Sequence, residues 1–121
     1  MNKFELWVID GEYTPQGKLF DIGRTCLSAI RNYSKGINPI DCGLKFENSN
    51  GNGSLMRILP VAFYAYYKNL NDEEIYLLVK DMSSLTHAHE ISVLGCYIYV
   101  QYVLCILKGY DKWIVINLLR M

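Results

Sequence analysis

Chemistry concentrates in Ser49-Asn50-Gly51-Asn52-Gly53-Ser54-Leu55-Met56-Arg57, a glycine- and asparagine-rich loop that runs into an apolar segment. Gly51 and Gly53 lack a Cβ and can take positive φ, so the backbone N–H groups here can converge on an anion. Ser54 has the side chain of a helix N-cap, and a helix after it would aim free N–H groups and its positive dipole end at the same spot. Such a loop suits a phosphate. The same residues also suit an ordinary loop and cap, because Asn-Gly pairs are common turn chemistry.

A second chemical segment is Thr86-His87-Ala88-His89-Glu90-Ile91-Ser92, which closes one helical pattern and opens a long apolar one. Both histidines of the chain therefore fall at a corner between helices, where a ligand can reach. His89 reads as a helix-start residue. Arg57 lies in an otherwise apolar run and must find a carboxylate, carbonyls or a phosphate, because an unpaired buried charge is too costly. A structural ion pair is the favoured reading over ligand contact.

These two segments, with Tyr13-Thr14-Pro15-Gln16-Gly17, Phe20-Asp21-Ile22-Gly23 and the continuation Ile58-Leu59-Pro60, resemble the ADP-ribosylglycohydrolase family. That family includes the enzyme that removes ADP-ribose from dinitrogenase reductase. The likeness runs in order from about Trp7 to Gly109. It implies an all-α, single-domain fold and hydrolysis of the bond joining ADP-ribose to a protein side chain or a related acceptor. Carried over residue by residue, Ser49, Asn50, Gly51, Asn52 and Gly53 match the loop around the ADP-ribose diphosphate, with Ser54 at its helix start. His87 matches the histidine at the ribose. Asn50 stands where some relatives place an aromatic that stacks on adenine, and Phe46 is a possible substitute, although a loop phenylalanine also serves as a core plug.

The resemblance further implies magnesium, usually two ions, held by a Thr-Asp-Asp type cluster near the amino terminus and an Asp-x-Asp type cluster near the carboxyl terminus. Neither pattern occurs in this chain. Asp10, Asp21, Asp41, Asp72, Asp81 and Asp111 are isolated from one another. Magnesium belongs to the complete family, and this chain is expected not to bind it fully. The acidic run Asp72-Glu73-Glu74 is no substitute, because consecutive helical residues fan out by about 100° each. The expected ligand is ADP-ribose or an ADP-ribosylated substrate, bound without hydrolysis. The alternative is a non-catalytic nucleotide-binding or helical interaction module.

The rest of the sequence has to position these groups, and its composition permits one domain with a core. The 121 residues are 51% hydrophobic and 20% charged. Lys plus Arg equals Asp plus Glu, at 12 each, and the charges are scattered, which leaves no footprint for nucleic acid or an acidic membrane surface. Cys26, Cys42, Cys96 and Cys105 have neither C-x-x-C spacing nor a histidine at zinc-finger separation. Cys96 and Cys105 read as buried thiols in an apolar helix. The amino terminus lacks the layout of a signal peptide, so a reducing cytoplasm is the expected location.

Helical periodicity dominates, with no sustained alternation at period two. Asp21 can cap a helix through Ile22, Leu27, Ala29 and Ile30, ended by Gly36 and Pro39 before a loop from about Ile37 to Gly53. Pro60 either kinks the next helix or stands in the first turn of a new one. Tyr64, Tyr66 and Tyr67 read as core and rim packing. Asn71 to Glu74 supply a cap and negative first turn for a helix carrying Ile75, Leu77, Leu78, Val79 and Met82. From Ile91 to Leu107 the run is nearly all apolar, but it falls short of the ~20 residues of a membrane span and reads as a helix packed centrally.

The two ends of the chain carry helical patterns as well. Phe4, Leu6 and Trp7 read as the last turn of a helix, and Lys112 to Met121 as an amphipathic helix that stops without a cap. Residues 1–121 are therefore expected to be the central part of a larger domain. Trp7, Trp113, Ile116 and Leu119 would then lack neighbours, which favours self-association or contact with the flanking segments.

Overall fold

A computed structural model describes residues 1–120, apart from the side chains of Leu118 and Leu119. The readings for those two side chains and for Met121 lie outside the described residues. The expected all-α class is observed: the helices are α1 (Asn2–Asp10), α2 (Arg24–Ser34), α3 (Leu59–Lys68), α4 (Asp72–Ser84), α5 (Glu90–Leu107) and α6 (Lys112–Leu119). Three 3₁₀ turns, Pro39–Asp41, Glu47–Ser49 and Leu55–Arg57, punctuate the long connection from α2 to α3. One isolated parallel bridge, Leu44 to His87, is the β pairing among the described residues.

The core forms where α3, α4 and α5 meet. Ile58, Val61, Ala62 and Ala65 repeat at three and four residues along α3 and its approach, and Ile75 and Val79 do so on α4. Cys96, Val100 and Leu104 answer them from α5, all at most 2% exposed. Asn71 closes a capping box: its side chain accepts from the Glu74 N–H at 2.9 Å, and the Glu74 carboxylate accepts from the Asn71 N–H at 2.8 Å. Pro60 stands in the first turn of α3, where its missing N–H costs nothing.

Several expectations need correction. Asp21 caps nothing, because α2 begins only at Arg24, after Gly23 in extended conformation. Ser54 makes no side-chain cap, and it leads into one 3₁₀ turn before α3 starts at Leu59. A single turn carries little dipole. Phe4, Leu6 and Trp7 sit in the body of a nine-residue helix, not at its last turn.

The long apolar helix α5 is central but not enclosed. Val93, Cys96, Val100 and Leu104 face the core, while Ile91, Leu94 and Ile98 are 59%, 54% and 42% exposed. Its 18 residues are long and apolar enough to cross a membrane by length and composition, a test that core helices also pass. Cys105 is half-buried rather than enclosed, and Tyr64, Tyr66 and Tyr67 are all exposed, so they form rim and not core. Tyr66 and Tyr67 meet edge to face, centroids 5.5 Å apart.

Candidate functional site

Beside that core lies a cavity of about 870 Å³. Its walls come from α1 through Phe4 and Trp7, from the approach to α2 and its first turn, from the loop of residues 44–57, and from Thr86 and His87. The α1–α2 pair that closes one side is weakly embedded: α1 buries no residue, and α2 buries only Ala29 and Ile30. The opposite wall is fixed by backbone bonding.

Gly43 begins that wall. A Cβ there would lie 2.1 Å from the Ser84 carbonyl oxygen, so only glycine lets the loop lie against the end of α4. The next residue, Leu44, donates its N–H to the Thr86 carbonyl at 3.2 Å and accepts from the Ala88 N–H at 2.9 Å. From the other side the His87 N–H donates to the Ser83 carbonyl at 2.7 Å, and the Ser83 hydroxyl donates to the His87 carbonyl at 2.8 Å. His87 is thus held at its backbone by both α4 and the loop.

Its ring is 2% exposed and contacts the Thr86 hydroxyl through Nδ1 at 2.8 Å. Nε2 makes no hydrogen bond among the described residues and lies under the glycine loop, 3.6 Å from where a Cβ on Gly51 would stand. Burial, and then the nearby Arg57 guanidinium, push the imidazole below its ordinary value of 6.5. At neutral pH the ring is uncharged, and Nε2 is its free polar atom.

The glycine loop does not use left-handed conformations. Neither Gly51 nor Gly53 is among the positive-φ residues, which corrects the conformational part of the expectation. Gly53 is required for closeness instead: a Cβ on it would come within 2.8 Å of both Cys26 Sγ and His87 Cε1. The N–H groups of Gly51, Asn52, Gly53, Ser54 and Leu55 donate to no acceptor among the described residues. Three of these free amides, on Gly51, Asn52 and Gly53, belong to residues that line the cavity, and together they are donors available to an anion.

Among the described residues Arg57 holds this loop in place without an ion pair, which corrects the favoured reading. Its Nη1 donates to the Gly53 carbonyl at 3.0 Å and its Nη2 to the Met82 carbonyl at 2.9 Å, tying the loop to α4. The guanidinium also lies 5.4 Å from the centroid of the Phe4 ring, and its Nε is buried without a partner. Burial lowers its pKa while the Cys26 and Cys96 thiols oppose that, and a guanidinium stays cationic throughout.

Of the residues proposed from the sequence, Ser49, Gly51, Asn52, Gly53 and His87 all line the cavity. Asn50 and Ser54 stand behind it. The Asn50 side chain accepts from the Ser92 hydroxyl at 2.7 Å and donates to the Glu47 carbonyl at 3.0 Å, and the Ser54 hydroxyl accepts from the Cys96 thiol at 3.4 Å. Both anchor the loop to its surroundings, chiefly α5. His89 caps α5, its Nδ1 accepting from the Ile91 N–H at 3.2 Å. Phe46 is no core plug: it lines the cavity and is 68% exposed.

Thr86, part of the second chemical segment, belongs to this region too, whereas Cys26, Trp7 and Gly43 belong to it and carry no local signal that marks them. The proximity of Phe20-Asp21-Ile22-Gly23 to Cys26 is the one available pointer. Asp21 is the single carboxylate lining the cavity, and no group of three His, Cys, Asp or Glu converges as a metal site among the described residues.

No curated protein and no solved structure matches the chain. A family model does, and it spans nearly everything described above, the glycine loop and His87 included. The match to the model described as ADP-ribosylglycohydrolase covers residues 1–120, and the chain belongs to that family.

Proposed function

We propose that this chain supplies the diphosphate- and ribose-binding part of an ADP-ribosylglycohydrolase site, with ADP-ribose or an ADP-ribosylated side chain as its ligand. The family reaction is hydrolysis of the glycosidic bond between ADP-ribose and its acceptor. The observation that carries the reading is the run of free amides on Gly51, Asn52 and Gly53, residues that line a cavity together with the uncharged His87 ring and the Arg57 cation. Amides and guanidinium together favour a diphosphate, and the free Nε2 of His87 suits a ribose hydroxyl.

Magnesium, which the family implies, would orient the ribose and a water at the anomeric carbon when bound. A magnesium pair needs several carboxylates, and Asp21 alone among the lining residues does not make that set. The residues present therefore do not fit the metal pair, and the chain's own contribution is binding and orientation.

Calorimetry with ADP-ribose tests this directly. Binding is expected for the unmodified chain, weakened by Asn52→Ala and abolished by Gly53→Val, whose branched side chain meets both Cys26 and His87. A folded sample that binds no ADP-ribose would sink the proposal. Incubation with an ADP-ribosylated protein should release no ADP-ribose with or without magnesium, and metal-dependent release would overturn the division of labour. A second reading, a helical interaction module, draws on the exposed face of α5 at Ile91, Leu94 and Ile98. Sedimentation showing a monomer at all concentrations would remove it.

A further inference from the structure

The chain has four free thiols, and they are not equivalent. Cys42 and Cys96 are buried, whereas Cys26 and Cys105 are half-buried. Cys105 lies on α5, outside the cavity. Cys26 lines the cavity, in the first turn of α2, where the N–H groups of Arg24, Thr25 and Cys26 precede the first helical bond, which runs from Leu27 to Gly23.

Two neighbours set this thiol apart from an ordinary surface cysteine. Cys26 Sγ and His87 Cε1 both stand 2.8 Å from one point, the missing Cβ of Gly53, so thiol and ring lie within about twice that distance of each other. His87 is 98% enclosed, yet its Nε2 has no partner among the described residues and faces the same space. Arg57 is the second neighbour: it lines the cavity, and Cys26 lies close enough to act on its guanidinium. A cavity of about 870 Å³ with free amides, a cation and an unpartnered imidazole nitrogen around one accessible sulfur is a place for an anionic electrophile.

We propose that Cys26 is a thiol-modification site within the cavity, and that a mixed disulfide formed there with an anionic low-molecular-weight disulfide occupies the space the ligand would use. The Cys26 sulfur gives up its proton and attacks one sulfur of the small disulfide. The new S–S bond joins Cys26 to one half, the old S–S bond breaks, and the other half leaves as a thiol carrying the released proton. No further oxidant is needed. A thiol reductant reverses the step.

The test uses the full chain and glutathione disulfide, with the adduct located by peptide mass mapping over time. Cys26 is expected to be modified several-fold faster than Cys105, which is comparably half-buried, while the enclosed Cys42 and Cys96 stay unmodified and report that the chain is folded. Equal rates at Cys26 and Cys105, or modification of all four together, would overturn the proposal. Raising the salt concentration should slow Cys26 and leave Cys105 unchanged, since of these two thiols only Cys26 shares the cavity with the Arg57 charge that the anionic disulfide meets. A second arm adds ADP-ribose before the disulfide. Protection of Cys26 alone supports both this site and the binding reading, whereas fast but unprotected Cys26 keeps the modification site and counts against ADP-ribose as the ligand.

Discussion

Between α3 and α5 nearly every buried position is an apolar side chain at helical spacing, from Val61 and Ala65 to Val79, Val100 and Leu104. Around the cavity the buried positions are mostly polar, Ser49, Ser54, Thr86 and His87 beside Ile30, and order comes from backbone bonds, a close-approach glycine and one arginine. The first region is held by burial of area, which is non-directional and tolerant of detail. The second is held by a few directional contacts, each of which matters singly. A core of the first kind sets global stability, while a wall of the second kind sets the shape that a ligand meets.

The largest expected effect attacks the first region. Leu104→Ala removes a side chain that is 2% exposed in the α3–α5 core, and a loss of about 2–5 kcal/mol in chemical denaturation is expected. A loss below about 1 kcal/mol would show that α5 is not packed as a core helix. Gly43→Ala comes next and attacks the junction of the two regions. Its Cβ meets the Ser84 carbonyl at 2.1 Å, and backbone cannot step aside as a side chain does, so a cost of about 3 kcal/mol is expected, with the Leu44–His87 bridge lost in amide exchange.

Arg57→Met sharpens the contrast further. It keeps the stem but deletes the bonds to the Gly53 and Met82 carbonyls, so amide exchange over residues 51–57 should accelerate while α3 to α5 stay protected. ADP-ribose affinity should fall about tenfold, equivalent to about 1.4 kcal/mol. Parallel loss of protection in α5 would show that the two regions are not separable.

The smallest effect is one of pH. Because burial and Arg57 lower the folded-state pKa of His87 below 6.5, the unfolded chain binds more protons in that interval. The His87 contribution to stability is complete above the ordinary imidazole value and declines as pH falls through it, levelling off below the folded-state pKa. Thermal melts between about pH 8 and pH 5 should show this decline, and His87→Gln should flatten that component. An unchanged slope in the variant would place the titrating group elsewhere.

Much of the first region was legible in the sequence, since a helix's core face repeats with its own period and Asn71, Pro60 and His89 carry local chemistry that starts helices wherever they stand. The cavity was legible only as a motif. Ser49, Gly51, Asn52, Gly53 and His87 could be named in advance because the loop's composition and the family resemblance single them out. Asn50 and Ser54 share that composition, yet their partners, Ser92 and Cys96, each lie 42 residues away, and no local pattern says which loop side chains turn to the ligand and which to the frame.

The sequence by itself determined that the chain is helical, where α4, α5 and α6 start, and that a small-residue loop precedes α3, because propensity, capping and periodicity act within a few residues. Tertiary structure alone decided that Arg57 bonds two carbonyls, that Gly43 must clear Ser84, that Cys26 and His87 flank Gly53, and that α5 buries one face and exposes the other. These depend on distances between segments far apart in the chain. Such distances are set by how the helices pack, and packing is a property of the whole molecule that no short window of residues contains.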